Sequence, residues 1–167
     1  MLPEQLLVLV LGSNLGNRQL TLHKATAKLC AYFGAEIAKS SIYETAAWGL
    51  NEQPVFLNQA LVFNTNKPPL EILSFIKNLE IELGRLPRAH WDKREIDIDI
   101  ILYGETIFKN EILQIPHPQM ANRRFVLEPI CEILPELVHP ELNLTMTALL
   151  SACPDPLKVQ KLDSNIN

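Results

Sequence analysis

The order of the apolar segments constrains the fold of this chain more than any other feature. The run QLLVLVLG at residues 5–12 is typical of a buried strand that ends at a glycine. Helix-like segments follow at 18–33 and 69–83, and strand-like segments at 35–44, 54–65 and 94–103. The order strand, helix, strand, strand, helix, strand predicts an α+β sandwich of ferredoxin-like βαββαβ topology, with a mostly antiparallel sheet and helices packed on it.

The rest of the chain carries weaker signals. Gly104-Glu105 predicts a hairpin turn after the last strand, and helical patches are expected near 121–132 and 145–152. A chain of 167 residues fits one domain, residues 1–167, whose last ten or so residues we expect to be loosely ordered.

Composition narrows the class of protein. The net charge of -4 argues against a nucleic-acid binder, which usually carries a basic excess. The apolar run at 6–11 is too short for a membrane span and no Lys or Arg precedes it, so we expect no membrane association. Three widely spaced cysteines (Cys30, Cys131 and Cys153) predict free thiols in a reducing cytoplasm rather than a disulfide framework.

Two aspartates interrupt the apolar strand REIDIDIILY. Side chains alternate along a strand, so Asp97 and Asp99 share one face while Ile96, Ile98 and Ile100 share the other. Neighbouring carboxylates repel each other unless a cation lies between them, and Mg²⁺ prefers oxygen ligands. The alternatives are a metal site and a solvated sheet face that happens to be acidic.

Basic residues surround this acidic pair in the sequence. Upstream lie Arg85, Arg88, Lys93 and Arg94, and downstream Arg123 and Arg124. Carboxylates for Mg²⁺ beside arginines for phosphate oxygens are what phosphoryl transfer requires. A solvated basic loop is the alternative.

Five motifs in order resemble one known family. They are LGSNLGNR (11–18), YET…G…PVFLN (43–58), LGR (83–85), W-x-x-R-x-I-D-I-D-I-I-L (91–102) and PHPQMANRRFVLEP (116–129). Each is weak alone, and GSNLG lacks the GK[ST] of a P-loop. Together they resemble the hydroxymethyldihydropterin pyrophosphokinases of folate biosynthesis. Against the family pattern, Asp92-Lys93 replaces a frequent Gly-Pro and Phe56 a frequent tyrosine.

The resemblance implies an enzyme that transfers pyrophosphate from ATP to the hydroxymethyl group of a dihydropterin and releases AMP. Asp97 and Asp99 would hold two Mg²⁺ ions. Catalytic roles would fall on these two and on Arg85, Arg88 and Arg94. ATP would contact Lys77, Glu80, Arg85, Trp91, Arg94, Ile100, His117 and Arg123. For Glu80 and Lys77 the alternative is a solvated helix face, which has equal weight for Lys77. For His117 the alternative is a loop histidine held by its flanking prolines.

For the pterin, the resemblance implies a flat slot. It would be formed by Thr45, Ala46, Trp48, Phe56, Asn58 and Phe125, with the phenylalanines stacking and the amide reading the pterin edge. Phe56 and Asn58 lie two apart in a strand, on the face opposite Leu57 and Leu61. Core packing remains the commoner use of any single phenylalanine.

Two other functions are compatible with the sequence. A non-catalytic ferredoxin-like module would bind a small molecule or RNA, although the aromatic strand of RNA-binding domains is absent from the sequence. Another two-metal enzyme, such as a nucleotidyltransferase, would release pyrophosphate instead of AMP. We expect a monomer, with weak dimerisation as the alternative.

Overall fold

A computed structural model describes residues 2–45, 55–86 and 95–163. Eight strands and four helices are assigned there, together with a 3-10 turn at Met120–Asn122. The strands are β1 (Gln5–Ser13), β2 (Ala38–Lys39), β3 (Tyr43–Thr45), β4 (Phe56–Thr65), β5 (Asp97–Tyr103), β6 (Phe108–Lys109), β7 (Gln114–Ile115) and β8 (Val159–Lys161). The helices are α1 (Arg18–Phe33), α2 (Pro69–Glu82), α3 (Arg124–Ile133) and α4 (Met146–Ser151).

The main sheet has the order β5-β1-β4-β3-β8, and β2 also pairs with β4. Every pairing is antiparallel. This confirms the predicted ferredoxin-like α+β sandwich. The first strand to be made, β1, lies in the interior of the sheet between β4 and β5.

Both faces of the sheet are apolar, which explains why β1 shows no alternation of apolar and polar residues. Leu7, Leu9 and Leu11 join the core cluster that contains buried residues of α1 and α2. Val8 and Val10 join a second cluster that contains buried residues of α3 and α4. The helices therefore lie on the two sides of the sheet, and β1 is buried by both layers.

Local sequence signals explain where the first two helices begin. The Asn17 side chain accepts a hydrogen bond from the Leu20 amide and so caps α1. Pro69 begins α2, where a missing N–H costs nothing.

Three sequence predictions differ from the structure. The strand predicted over 35–44 is split into β2 and β3 around Ser40, whose hydroxyl accepts from the Ala60 amide. A turn does follow β5 at Gly104-Glu105, but β6 pairs with β7 and not with β5. At the C-terminal end, residues 159–161 are not loose, because β8 pairs with β3.

A bulge shapes the edge strand β5. Val8 lies opposite Leu102 and Leu9 opposite Ile100, so Ile101 is the extra residue on β5. The His117 amide donates to the Ile101 carbonyl at 2.9 Å. The bulge thereby anchors the segment that leads to α3 beside the edge of the sheet.

Candidate active site

One row of the sheet brings the predicted acidic and amide residues together. Gly12 on β1 lies opposite Asn58 on β4 and opposite Asp97 on β5. Asp97 and Asp99 lie on the face opposite Ile96, Ile98 and Ile100, which are all in the α1–α2 core. Asp97, Asp99 and Asn58 therefore lie at one end of the sheet, on the face that α3 and α4 cover.

Glu80 is the most buried charged group at this end, with 1% of its surface exposed. Its carboxylate accepts from Arg85 Nη1 at 2.8 Å, from Lys77 Nζ at 3.1 Å and from the Ile98 amide at 2.8 Å. Burial raises the pKa of Glu80, and the charge of Lys77 opposes that change. The solvated helix face considered as an alternative for Glu80 is wrong; the carboxylate joins α2 to β5.

Arg85 bridges the two acidic groups. Its Nη1 lies 3.2 Å from Asp97 Oδ1 as well as 2.8 Å from Glu80 Oε2. Both Arg85 and Asp97 keep about a quarter of their side-chain surface exposed. The arginine thus holds the first aspartate while one side of the pair stays accessible.

The second aspartate, Asp99, lies in a strongly acidic environment. Burial, followed by the negative charges of Asp97 and Glu80, raises the pKa of Asp99 to about 7. The charges of Lys77 and Arg123 oppose this. A carboxylate held near so much negative charge is the kind of group that a hard cation stabilises.

The donor set therefore fits Mg²⁺, although it does not enclose an ion. Within residues 2–45, 55–86 and 95–163, no group of three or more His, Cys, Asp or Glu side chains could hold a metal. Two aspartates alone leave the remaining coordination positions to water or to ligand phosphates, as is usual for Mg²⁺ in nucleotide enzymes.

His117 is neutral at pH 7. Burial, followed by the positive charge of Arg123, lowers its pKa to about 4. Its Nδ1 accepts from the Gln119 amide at 3.1 Å, which leaves the proton on Nε2. His117 can therefore present an N–H donor without adding charge to the site.

The side chains of the two consecutive arginines, Arg123 and Arg124, interact with different groups. The charge of Arg123 acts on both Asp99 and His117, and its guanidinium lies 5.9 Å from the ring centre of Phe125. Arg124 instead donates to the Cys153 and Asp155 carbonyls, at 3.3 Å each. Of this pair, only Arg123 is shown to act on Asp99 and His117.

Asn58 has a fixed orientation. It is 3% exposed, and its Nδ2 donates to Thr45 Oγ1 at 3.3 Å. Its Oδ1 points toward Gly12, where an added Cβ would lie only 2.9 Å away. Glycine at this position therefore makes room for the amide, a role that the sequence analysis missed although a glycine within a strand often marks such a close approach.

Arg18 was also missed. Its Nη1 donates to the Val55 carbonyl at 2.7 Å, directly before Phe56. The first residue of α1 thus fixes the start of β4. The resemblance had included Arg18 only as the end of the LGSNLGNR motif.

Several predicted site residues lie outside the described residues. These are Ala46, Trp48, Arg88, Trp91 and Arg94. Of the others, Ile100 buries its side chain in the α1–α2 core and Phe125 packs against the α3–α4 cluster.

These observations define a class of protein: an α+β sandwich of ferredoxin-like topology with carboxylates and cations at one end of its sheet. A sequence profile of the 7,8-dihydro-6-hydroxymethylpterin-pyrophosphokinase family matches residues 8–135. The chain belongs to that family, as the sequence analysis predicted.

Individual relatives support this family assignment. The chain is 44% identical to the 2-amino-4-hydroxy-6-hydroxymethyldihydropteridine pyrophosphokinase of Aquifex aeolicus, over 78% of this chain and 81% of the relative. It is 40% identical to the protein of the same name from Bacillus subtilis, over 75% of each. Among solved structures, Plasmodium falciparum HPPK-DHPS with pteroate superposes with a TM-score of 0.73 at 20% identity. That match covers 89% of this chain but only 42% of the longer Plasmodium chain.

Proposed function

We propose that this protein transfers pyrophosphate from ATP to the hydroxymethyl group of 6-hydroxymethyl-7,8-dihydropterin and releases AMP. One observation carries the proposal beyond family membership: Asn58, Gly12 and Asp97 form a single row across β4, β1 and β5. Adjacent strands lie about 4.8 Å apart, so β4 and β5 are separated by roughly 10 Å. A pterin at Asn58 and a phosphate chain at Asp97 can therefore meet above Gly12.

The metal ions belong to this proposal. Asp97 and Asp99 would hold two Mg²⁺ ions, which neutralise the charge of the phosphate chain and polarise its oxygens. The pKa of Asp99, raised to about 7 by burial and by its acidic neighbours, supports this placement because a divalent cation would offset the same repulsion.

The nucleotide would be held by groups around the acidic pair. Arg85 and Arg123 supply positive charge, and neutral His117 supplies its Nε2–H donor. Since the Ile100 side chain lies in the core, its contact with ATP would be made by the backbone. Glu80 and Lys77 would border the pocket, while Arg88, Trp91 and Arg94 are proposed on the family resemblance alone.

The pterin would lie on the β4 side of the row. Phe56 and Phe125 are both partly exposed and are proposed to stack on its ring. Asn58, held by Thr45, would read the ring edge with the donors and acceptor of its amide. Ala46 and Trp48 would complete the slot.

In the reaction, the hydroxymethyl oxygen attacks the β-phosphorus of ATP. The bond from that phosphorus to the bridging α,β-oxygen breaks, AMP leaves with the bond's electron pair, and the hydroxyl proton passes to solvent. Arg85 and Arg123 would hold the charge that develops on the transferred group.

The product identifies the reaction. Incubation with Mg²⁺, ATP and the pterin, followed by chromatography, should yield AMP and the pterin diphosphate in equal amounts. Stoichiometric ADP would indicate transfer of a single phosphate, and free pyrophosphate would indicate a nucleotidyltransferase. Either product would overturn the proposal.

The cellular compartment and the oligomeric state of the protein are also proposed. Cys30, Cys131 and Cys153 are free thiols, which supports a reducing cytoplasm. Across the described residues, no helix is both long and apolar enough to cross a bilayer. We propose a monomer that acts on small molecules without nucleic acid; sedimentation at micromolar concentration tests the oligomeric state.

A further inference from the structure

The first turn of α3 is held by a residue far away in the sequence. Arg124 begins the helix, and its amide donates to Asp155 Oδ2 at 3.0 Å. The first amides of a helix have no partner within it, so an acceptor from elsewhere must satisfy them. A carboxylate suits that place because the helix N-terminus carries partial positive charge.

The contact is mutual and partly buried. Arg124 Nε donates back to the Asp155 carbonyl, and its Nη2 donates to the Cys153 carbonyl, both at 3.3 Å. The other carboxylate oxygen, Asp155 Oδ1, accepts from the Leu157 amide at 2.9 Å. Asp155 is 4% exposed. The segment 153–157 and the start of α3 therefore form one hydrogen-bonded unit.

That unit lies between two residues of the proposed site. Arg123 and Phe125 directly flank Arg124 in the chain, and the Arg123 guanidinium carbon lies 5.9 Å from the centre of the Phe125 ring. Val126 and Leu127, the next two residues, are buried in the α3–α4 cluster. The core holds one side of the first turn, and Asp155 holds the Arg124 amide on the other side.

We infer that Asp155 is a positioning residue, which orients Phe125 for the pterin and Arg123 for the nucleotide by holding the Arg124 amide. The inference rests on the proposed function for the roles of those two side chains. Asp155 lies beyond residues 8–135, which match the family profile. The segment that follows the matched region thus contributes to the site without touching a substrate.

Two variants and a control test this. Asp155→Ala removes both carboxylate oxygens, which accept from the Arg124 and Leu157 amides. Asp155→Asn keeps one side-chain oxygen for the Arg124 amide. Asp163→Ala removes an exposed acid from the same C-terminal part of the chain, outside the segment 153–157, and serves as the matched control. All measurements are made well below the unfolding midpoint of each variant.

The first readout needs no substrate. Hydrogen exchange at the Arg124 amide should accelerate at least tenfold in Asp155→Ala, less in Asp155→Asn, and not at all in Asp163→Ala. Unchanged protection in Asp155→Ala would overturn the inference. This result is independent of whether the protein forms AMP, so a failure of the proposed function remains distinguishable.

The second readout tests the link to the site. Asp155→Ala should weaken pterin binding about tenfold, and Asp155→Asn should restore most of the affinity. In a Phe125→Ala background, Asp155→Ala should add little further loss, because the same contact has already been removed. Wild-type pterin affinity in Asp155→Ala, or fully additive losses, would restrict Asp155 to a structural role and overturn the inference.

Discussion

Gly12 shows how one missing side chain can define a binding site. Its place in the row lets the Asn58 amide lie flat against β1, since an added Cβ would approach Asn58 Oδ1 to 2.9 Å and Phe56 Cδ1 to 3.6 Å. We expect Gly12→Ala to displace the amide and to weaken pterin binding by roughly tenfold, the effect of losing about one hydrogen bond. ATP binding should change little. Calorimetry with each ligand alone measures both effects.

A double variant separates this displacement from general damage. Asn58→Ala removes the group that the new methyl would strike, so Gly12→Ala should cost almost nothing further in that background. Equal losses for ATP and pterin would instead mean that the end of β1 had shifted as a whole.

Asp99 allows the metal proposal to be tested against stability. Asp99→Asn keeps the size of the side chain but removes a charge that lies near Asp97 and Glu80. We expect the apo protein at pH 8 to melt at the same or a higher temperature, and turnover to fall on the order of a thousandfold, since metal stabilisation of transition-state charge is worth several kcal/mol. Thermal melts and product formation are the measurements.

The exposed residue Asp163 provides a control, because Asp163→Asn removes the same charge as Asp99→Asn. Asp163→Asn should leave turnover and melting temperature unchanged. If Asp99→Asn lost activity only because it melted earlier, the acidic face would be a structural feature and the metal proposal would be wrong.

At this scale, sequence reasoning succeeded where local geometry decides. Alternation along a strand was enough to place Asp97 and Asp99 on one face. It failed where the partner comes from another element. The resemblance placed Glu80 beside the nucleotide, with a solvated helix face as the alternative, and neither predicted that its carboxylate would be buried against Arg85 and the Ile98 amide.

The link between α2 and β5 is where elements determine the geometry of the site. Glu80 supplies the acceptor for the Ile98 amide on an edge strand and also holds Arg85. Glu80→Ala would leave these two donors and Lys77 Nζ without that acceptor, and we expect a loss of about 3 kcal/mol in unfolding free energy. Glu80→Gln keeps one oxygen, which can take the place of Oε2 for both the Arg85 and the Ile98 donors, and this variant should lose less stability. Urea unfolding of both variants measures the difference.

Glu82 provides the comparison within the same helix. It pairs with Lys28 on the surface, with more than half of each side chain exposed. Glu82→Ala should change stability by less than about 1 kcal/mol. If Glu80→Ala were no worse than Glu82→Ala, Glu80 would not join the two elements.

Long, regular elements were predictable and short ones were not. The strand at 5–12 and the helix after Pro69 carry many residues of one pattern, and both formed close to the predicted limits. In contrast, β2 and β8 contain two and three residues, too few for any periodicity. Their positions depend on pairing with β4 and β3, which lie far away in the sequence.

For the molecule as a whole, His117 predicts a specific response to acid. Its folded pKa of about 4 lies below the ordinary value of 6.5, so the fold favours the neutral ring. The resulting stability is present above pH 6.5 and is lost as pH falls through 4. We expect wild type to lose up to about 3 kcal/mol relative to His117→Asn over that interval, since each pKa unit corresponds to about 1.4 kcal/mol.

The reference for this experiment is His23, on the surface of α1. Chemical unfolding from pH 7.5 to pH 4 is compared for wild type, His117→Asn and His23→Asn. His23→Asn should follow the wild-type curve. Parallel curves for wild type and His117→Asn would mean that His117 titrates alike in the folded and unfolded chain.

The interior position of β1 also has a consequence for synthesis on the ribosome. Leu11 lies opposite Gln59 on one side and Ile98 on the other, so the strand made first must wait for both partners. Until β5 emerges, one edge of a very apolar strand stays open to other chains. We expect stalled nascent chains to become protease-resistant only after Tyr103 has left the exit tunnel. Resistance at shorter lengths would mean that β1 and β4 form a stable unit without β5.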